Sequence, residues 1–201
     1  MSYFDHLSLD KKMASILDGE PFVLKKQKRL DFYLCSSIMS QQLSVKVAAV
    51  IKQRFISLYD DNLPHPQQIL ETPFETLRGI GLSNAKVNYV QNVARFALEE
   101  GMDYKKLNKL SNEEVIAYLT QIKGVGRWTV EMLLMFAMAR EDVFAIDDLG
   151  IQMAMKKLYR LDDADRKLFR EKMLRISKKW VPYRTYACVH LWRWKDNGPA
   201  V

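Results

Sequence analysis

The stretch 122-IKGVGRWTVEMLLMFAMAREDVFAIDDL-149 decides the reading of this chain. It begins with a glycine-rich turn, Gly124-Val125-Gly126, placed between two segments of helical periodicity. A Gly-x-Gly turn lets the backbone reach positive φ and approach another molecule closely. The unpaired N–H groups at the start of the next helix, with the positive end of the helix dipole behind them, suit a phosphate. Lys123 and Arg127 flank the turn and add positive charge. The alternative is a tight inter-helix turn with no ligand. The next ten residues, Val130 to Ala139, are apolar except for Glu131, and a helix apolar all round is buried. Glu131 reads as a partnered structural carboxylate near the helix start, or else as a second acid in a functional cleft. The stretch closes on Asp147-Asp148 before L-G-I-Q-M-A-M. One of the two is placed to cap the following helix. A pair of them, after a buried apolar run and near the hairpin, exceeds what capping requires.

Helical periodicity extends outward in both directions. It predicts helices over residues 3–17, 29–40, 43–58, 66–71, 73–79, 82–99, 111–121, 127–139, 148–159, 163–177 and 183–195. Breakers fall between them: Gly19 with Pro21, Pro64 with Pro66, Pro73, Gly79 with Gly81, Gly101, Gly124 with Gly126, and Pro182. Ser111 with Glu114 is a capping-box signature. Leu77-Arg78-Gly79-Ile80-Gly81 matches Ile122-Lys123-Gly124-Val125-Gly126 in pattern, which suggests two helix-hairpin-helix units built alike. The expected fold is all-α: a single domain over residues 1–201, in two helical lobes with a cleft between them and the hairpin at 122–127. The C-terminal K-D-N-G-P-A-V reads as a frayed tail.

Composition narrows the function classes. The chain has 201 residues, 48% of them hydrophobic, enough for a sizeable core. Its net charge of +7 suits a polyanionic partner without identifying one. Cys35 and Cys188 lie in apolar surroundings and read as reduced core residues. Two cysteines cannot ligate an iron–sulfur cluster. The three histidines are scattered outside any zinc-binding spacing, so no metal site is expected. No apolar run reaches membrane-spanning length, and the N-terminus lacks a signal pattern. The expected location is cytoplasmic, or nuclear in a eukaryote.

The whole span around the hairpin and the aspartate pair resembles the helix-hairpin-helix DNA glycosylases with a Gly/Pro-rich loop and an Asp, and within them the 3-methyladenine DNA glycosylase II branch. Three further segments agree in order: I-M-S-Q-Q-L-S-V-K-V-A at 38–48, L-R-G-I-G-L-S-N-A-K at 77–86 and W-V-P-Y-R-T-Y-A-C-V-H-L-W at 180–192. The chain resembles the short form, without the N-terminal β-rich domain of some members.

The resemblance implies a monofunctional glycosylase that excises alkylated purines such as 3-methyladenine and 7-methylguanine from duplex DNA. Asp148 is implied as the catalytic carboxylate, with Asp147 as its capping or supporting partner. Base flipping is implied too, because the glycosidic bond is out of reach inside the stack. Lys123, Gly124, Gly126 and Arg127 would bind the DNA backbone. Trp128, Trp192 and, less directly, Phe136 match positions for aromatics that stack on a cationic base, although core packing is the usual role of such residues. Bifunctional relatives carry a lysine nucleophile where this chain has Trp128, so no strand nicking is expected. Gln42, in Ser40-Gln41-Gln42-Leu43-Ser44, resembles the wedge that fills the gap left by the flipped base; it also reads as a simple polar turn. Met132 departs from a tyrosine found in some relatives, which bears on damage preference. No cofactor is expected beyond a monovalent cation on the hairpin carbonyls when DNA is bound, and the expected state is a monomer. Two alternatives stay open: a non-catalytic helix-hairpin-helix module that binds damaged DNA, and a glycosylase for another lesion such as uracil or hypoxanthine.

Overall fold

The computed structural model describes residues 1–19, 21–60 and 62–197. Most of the segment expected to be a frayed tail, residues 198–201, lies outside the described residues. Among the described residues all regular structure is helical. The chain forms two compact units, Met1–Lys25 with Leu134–Val201 (the terminal unit) and Lys26–Leu133 (the inserted unit).

The terminal unit opens with α1 (Tyr3–Ser8) and α2 (Lys11–Ala14). A single helix over 3–17 is expected from the periodicity, but Asp10 divides it. Its backbone is extended, and its carboxylate accepts the N–H groups of Lys12 and Met13. An Asp that can satisfy two orphan donors starts a new helix even inside a continuous apolar pattern.

The inserted unit runs α3 (Leu30–Ser40), α4 (Val45–Ser57), α5 (Pro66–Glu71), α6 (Phe74–Gly79), α7 (Asn84–Glu99), α8 (Tyr104–Leu107), α9 (Asn112–Leu119) and the start of α10 (Arg127–Phe136). Its core is organised on α7, where Val87, Val90, Val93 and Ala94 are fully buried or nearly so. Both α3 and α5 pack against this stripe. The capping box at Ser111 is present in full: Ser111 Oγ accepts the Glu114 N–H, and Glu114 caps the Ser111 N–H in return. The short α8, capped by Asp103, has no counterpart among the expected helices, because four residues hold too little periodicity to recognise.

From Leu134 onward α10 belongs to the terminal unit. Val130, Leu133, Leu134 and Met135 are fully buried, as an all-apolar helix requires. The helix stops three residues earlier than expected. The backbone turns through Ala139 at φ 55, and the Arg140 N–H donates to the Leu134 carbonyl. The unit then continues with α11 (Leu149–Tyr159), α12 (Arg166–Ser177), a 3-10 turn (Lys178–Trp180) and α13 (Arg184–Asn197). Here α11 packs along α13, and Trp180 is fully buried, ringed by Phe144 and Tyr159. Cys35 and Cys188 are both buried in the cores of their units.

Candidate active site and nucleic-acid interface

The approach to the aspartate pair is fixed by the first turn of α13. Thr185 Oγ donates to the Arg140 carbonyl at 2.6 Å and accepts the Val143 N–H at 3.1 Å. The Arg184 guanidinium grips Asp142 with two bonds, and Tyr186 OH donates to Glu141 at 2.8 Å. Val143, Phe144, Ala145 and Ile146 are then buried in succession. The chain emerges at Asp147 and Asp148 with little freedom left in the preceding backbone.

The two aspartates part company there. Asp147 faces outward and forms an ion pair with Arg170 of α12. Asp148 is the N-cap of α11, and its Oδ1 accepts the Ile151 N–H at 2.8 Å. Of the two roles expected for Asp147, capping or supporting, the cap falls instead to Asp148. Asp148 takes the cap because it directly precedes the first helical residue, whereas Asp147 lies one position too early to reach the N2 and N3 donors.

Trp192 of α13 completes the arrangement. Its indole Nε1 donates to the same Asp148 Oδ1 at 2.8 Å. Gly150 makes room for this contact. A Cβ on Gly150 would lie 3.0 Å from Asp148 Oδ1 and 3.1 Å from the Trp192 ring. Phe136 lies beside Trp192, with ring centroids 6.0 Å apart and planes tilted by 40°. The structure thus brings together Asp148, Trp192 and Phe136. Trp192 meets the carboxylate through its edge. The role of Gly150 was not legible in D-D-L-G, since its reason is a ring more than forty residues away.

The other expected site residues lie in the inserted unit. Gly124 has φ 103, and a Cβ there would come within 2.2 Å of the Tyr89 ring. Gly126, just before α10, has open space around it. The two glycine turns share a conformation but not the register that their sequences suggest. In the first, the positive-φ residue is Gly81, two residues before the cap Ser83. In the second it is Gly124, two residues before Gly126. The matched motifs are therefore offset by two positions: Gly79 is helical where its counterpart Gly124 makes the turn.

Lys123 is exposed, and its carbonyl accepts Asn92 Nδ2 at 3.1 Å. Arg127 is engaged within the protein. Its guanidinium forks onto Glu113, and its Nε donates to Glu131 at 3.0 Å. Glu131 is buried, and Arg127 holds it as an ion pair across one helical turn. This supports the structural reading of Glu131. Much of the Arg127 charge is offset locally, so Lys123 and the backbone carry the positive character of the hairpin. Trp128 is exposed on α10, at 41% of its full area.

Between α3 and α4, Gln42 sits at φ 58 with an exposed side chain. Ser44, two residues on, caps α4. The turn is gripped from α7: Lys86 Nζ donates to the carbonyls of Met39 and Gln41, at 2.9 and 2.8 Å. Lys86 closes the quoted segment L-R-G-I-G-L-S-N-A-K, but nothing local to it signals a partner in α3.

Residues 35–181 match the family model described as HhH-GPD superfamily base excision DNA repair protein. The chain is 39% identical over 162 residues to DNA-3-methyladenine glycosylase 1 of Schizosaccharomyces pombe, covering 80% of this chain and 70% of that protein. It is 34% identical over 197 residues to the DNA-3-methyladenine glycosylase of Saccharomyces cerevisiae, covering 90% and 66%. The solved S. pombe 3-methyladenine DNA glycosylase in complex with abasic DNA superposes with a TM-score of 0.85 at 33% identity, over 100% of both chains. The chain belongs to the HhH-GPD superfamily of base excision DNA repair proteins.

Proposed function

We propose that this protein is a monofunctional DNA glycosylase that removes alkylated purines, 3-methyladenine and 7-methylguanine among them, from duplex DNA, acting as a monomer. The observation that carries this is Asp148, held on Oδ1 by the α11 N-terminus and the Trp192 indole, in a chain with relatives named DNA-3-methyladenine glycosylase.

An alkylated purine carries positive charge, so its glycosidic bond is already weakened. The C1′–N bond breaks and its electron pair goes to the base, which leaves neutral. The sugar becomes oxocarbenium-like. A fixed carboxylate beside C1′ stabilises that cation without reorganising. Water oxygen then bonds to C1′, and its proton is released to solvent, leaving an abasic site. The aromatic faces of Trp192 and Phe136 offer stacking to the cationic base. Position 128 supplies no amine, so no covalent enzyme–sugar imine forms.

The hairpin receives a backbone phosphate on the N–H groups that open α10. A monovalent cation fits its chemistry: the Ile122 and Lys123 carbonyls are neutral oxygens, each accepting one bond from within the protein and each with a second lone pair. Such an ion would add positive charge for phosphate binding. No step of the hydrolysis depends on it.

Asp148→Asn tests the reading cleanly. Asn is as good an N-cap as Asp and keeps an oxygen for Trp192, so only the charge is lost. With DNA treated with a methylating agent, the wild type releases methylated purines and Asp148→Asn releases at least about a hundredfold more slowly. Equal release by both would remove Asp148 from the mechanism. No release by the wild type, with tight binding to damaged duplex, would make the protein a non-catalytic damage binder.

A further inference from the structure

We infer that Lys86 is a positioning residue for the wedge, holding Gln42 in the conformation that enters the DNA stack. The inference rests on the reading of Gln42 as that wedge.

A residue in the left-handed region is disfavoured unless it is glycine or, less strongly, Asn or Asp. Gln42 adopts φ 58 all the same, so its surroundings must hold it there. Its own local bonding is sparse: the turn contributes a bond from the Leu43 N–H to the Ser40 carbonyl at 3.2 Å. The stronger hold comes from outside the turn. Lys86 Nζ spans the end of α3, donating to Met39 O and Gln41 O at 2.9 and 2.8 Å. These are carbonyls that the helix cannot satisfy for itself, and they lie at the negative end of its dipole. A second brace comes from α10, where Thr129 Oγ1 accepts Gln41 Nε2 at 3.5 Å. The residue before Gln42 is therefore fixed at its carbonyl and at its side chain, while the Gln42 side chain remains exposed.

The ammonium is partly withdrawn from water, and this burial lowers the Lys86 pKa from its ordinary value. A lysine placed only for solubility or for long-range attraction to DNA would stay hydrated. Three donors on a flexible stem suit the two carbonyls that Lys86 Nζ contacts. Strain at a tip, held by a half-buried clasp behind it, keeps the exposed side chain presented before any partner arrives. Ordering the tip in advance removes that cost from the binding step.

The test is a double-mutant cycle with Lys86→Met and Gln42→Ala. The probe is a duplex carrying a tetrahydrofuran abasic-site analogue, with the corresponding single strand as control. Gln42→Ala is expected to weaken duplex binding about tenfold and leave single-strand binding unchanged. Lys86→Met is expected to weaken duplex binding by a similar factor, and to add little in the Gln42→Ala background. Lys86→Arg, which retains donors for both carbonyls, is expected to recover most of the affinity. If Lys86→Met does not fold, Lys86→Gln takes its place, because its single amide cannot span both carbonyls; the same non-additivity is expected.

Losses that multiply in the double variant would overturn the inference and make Lys86 an independent DNA contact or a purely structural residue. So would a Lys86→Met protein that binds as the wild type does. A Gln42→Ala protein with unaltered duplex binding is a different result. It would overturn the wedge reading itself, whatever Lys86 does.

Discussion

Trp192 meets Asp148 with its indole edge, and the edge and the face of this ring have separable consequences. The proposed stacking on the base would use the face. The edge fixes one carboxylate oxygen, together with the Ile151 N–H. A hydrogen bond to a charged group contributes about 1.5–3 kcal/mol. Trp192→Phe keeps an aromatic face and loses the donor. Its single-turnover rate of base release is expected to fall about tenfold, while its affinity for damaged duplex changes by less than about twofold. A rate equal to that of the wild type would mean that the ring acts by stacking alone. Arg127 shows the opposite economy. A basic residue at the hairpin reads as a phosphate contact, but its guanidinium already serves Glu113 and the buried Glu131. Sequence conveys the charge of a side chain, not which of its donors are already taken.

Among the elements, the glycine turn before α10 separates into two positions with different duties. Gly124 combines φ 103 with a Tyr89 ring where a Cβ would go. Gly124→Ala is expected to lower the stability of the protein by about 2 kcal/mol or more, measured by urea unfolding. Gly126 has neither constraint. Gly126→Ala should leave stability within about 1 kcal/mol of the wild type and reduce DNA affinity, because the added methyl would stand in the way of the proposed phosphate contact. A Gly126→Ala protein that binds DNA normally would move the backbone contact elsewhere. The same elements show what was legible beforehand. The start of α9 could be read from Ser111 and Glu114, because the whole capping box lies within four residues. The division between α1 and α2 could not, since Leu7 and Met13 continue one apolar pattern across it and only the reach of the Asp10 carboxylate decides. The Gly-x-Gly repeat was visible, but its offset by two residues was not. The spacing of glycines does not say which of them turns the chain. Asp148 was reached through resemblance and position; its partner Trp192, its neighbour Gly150 and the clasp at Lys86 depend on contacts far apart in sequence, which no local pattern records.

For the molecule as a whole, the terminal unit depends on holding its two chain segments together. Tyr3 stacks on Tyr186 with ring centroids 4.0 Å apart, and Phe22 packs beside both. His190 is fully buried among Tyr3, Phe4 and Phe22, with Nδ1 2.8 Å from Asp18. Burial lowers the His190 pKa below its ordinary 6.5 and outweighs the opposing pull of Asp18, while Arg193 adds to the lowering. The folded value thus lies below the unfolded one. The contribution of His190 to stability is complete above about pH 6.5 and is lost as the pH falls towards the folded value. The melting temperature is expected to drop between about pH 7 and about pH 5. His190→Gln, which cannot titrate, should flatten that part of the profile. An unchanged slope would assign the acid sensitivity to the carboxylates.

The discontinuity of the terminal unit in sequence also sets a timetable for synthesis. Residues Lys26–Leu133 form one continuous segment, so all of that unit's chain is present as soon as Leu133 clears the ribosome. Met1–Lys25 is translated before this segment, whereas its partners in Leu134–Val201 are translated after it. At about 5–20 residues per second, Tyr3, Phe4 and Phe22 remain exposed for some seconds after the inserted unit can fold. During that interval the newborn chain presents bare aromatic side chains to chaperones, and the loop carrying Asp148 has yet to be tied to α13.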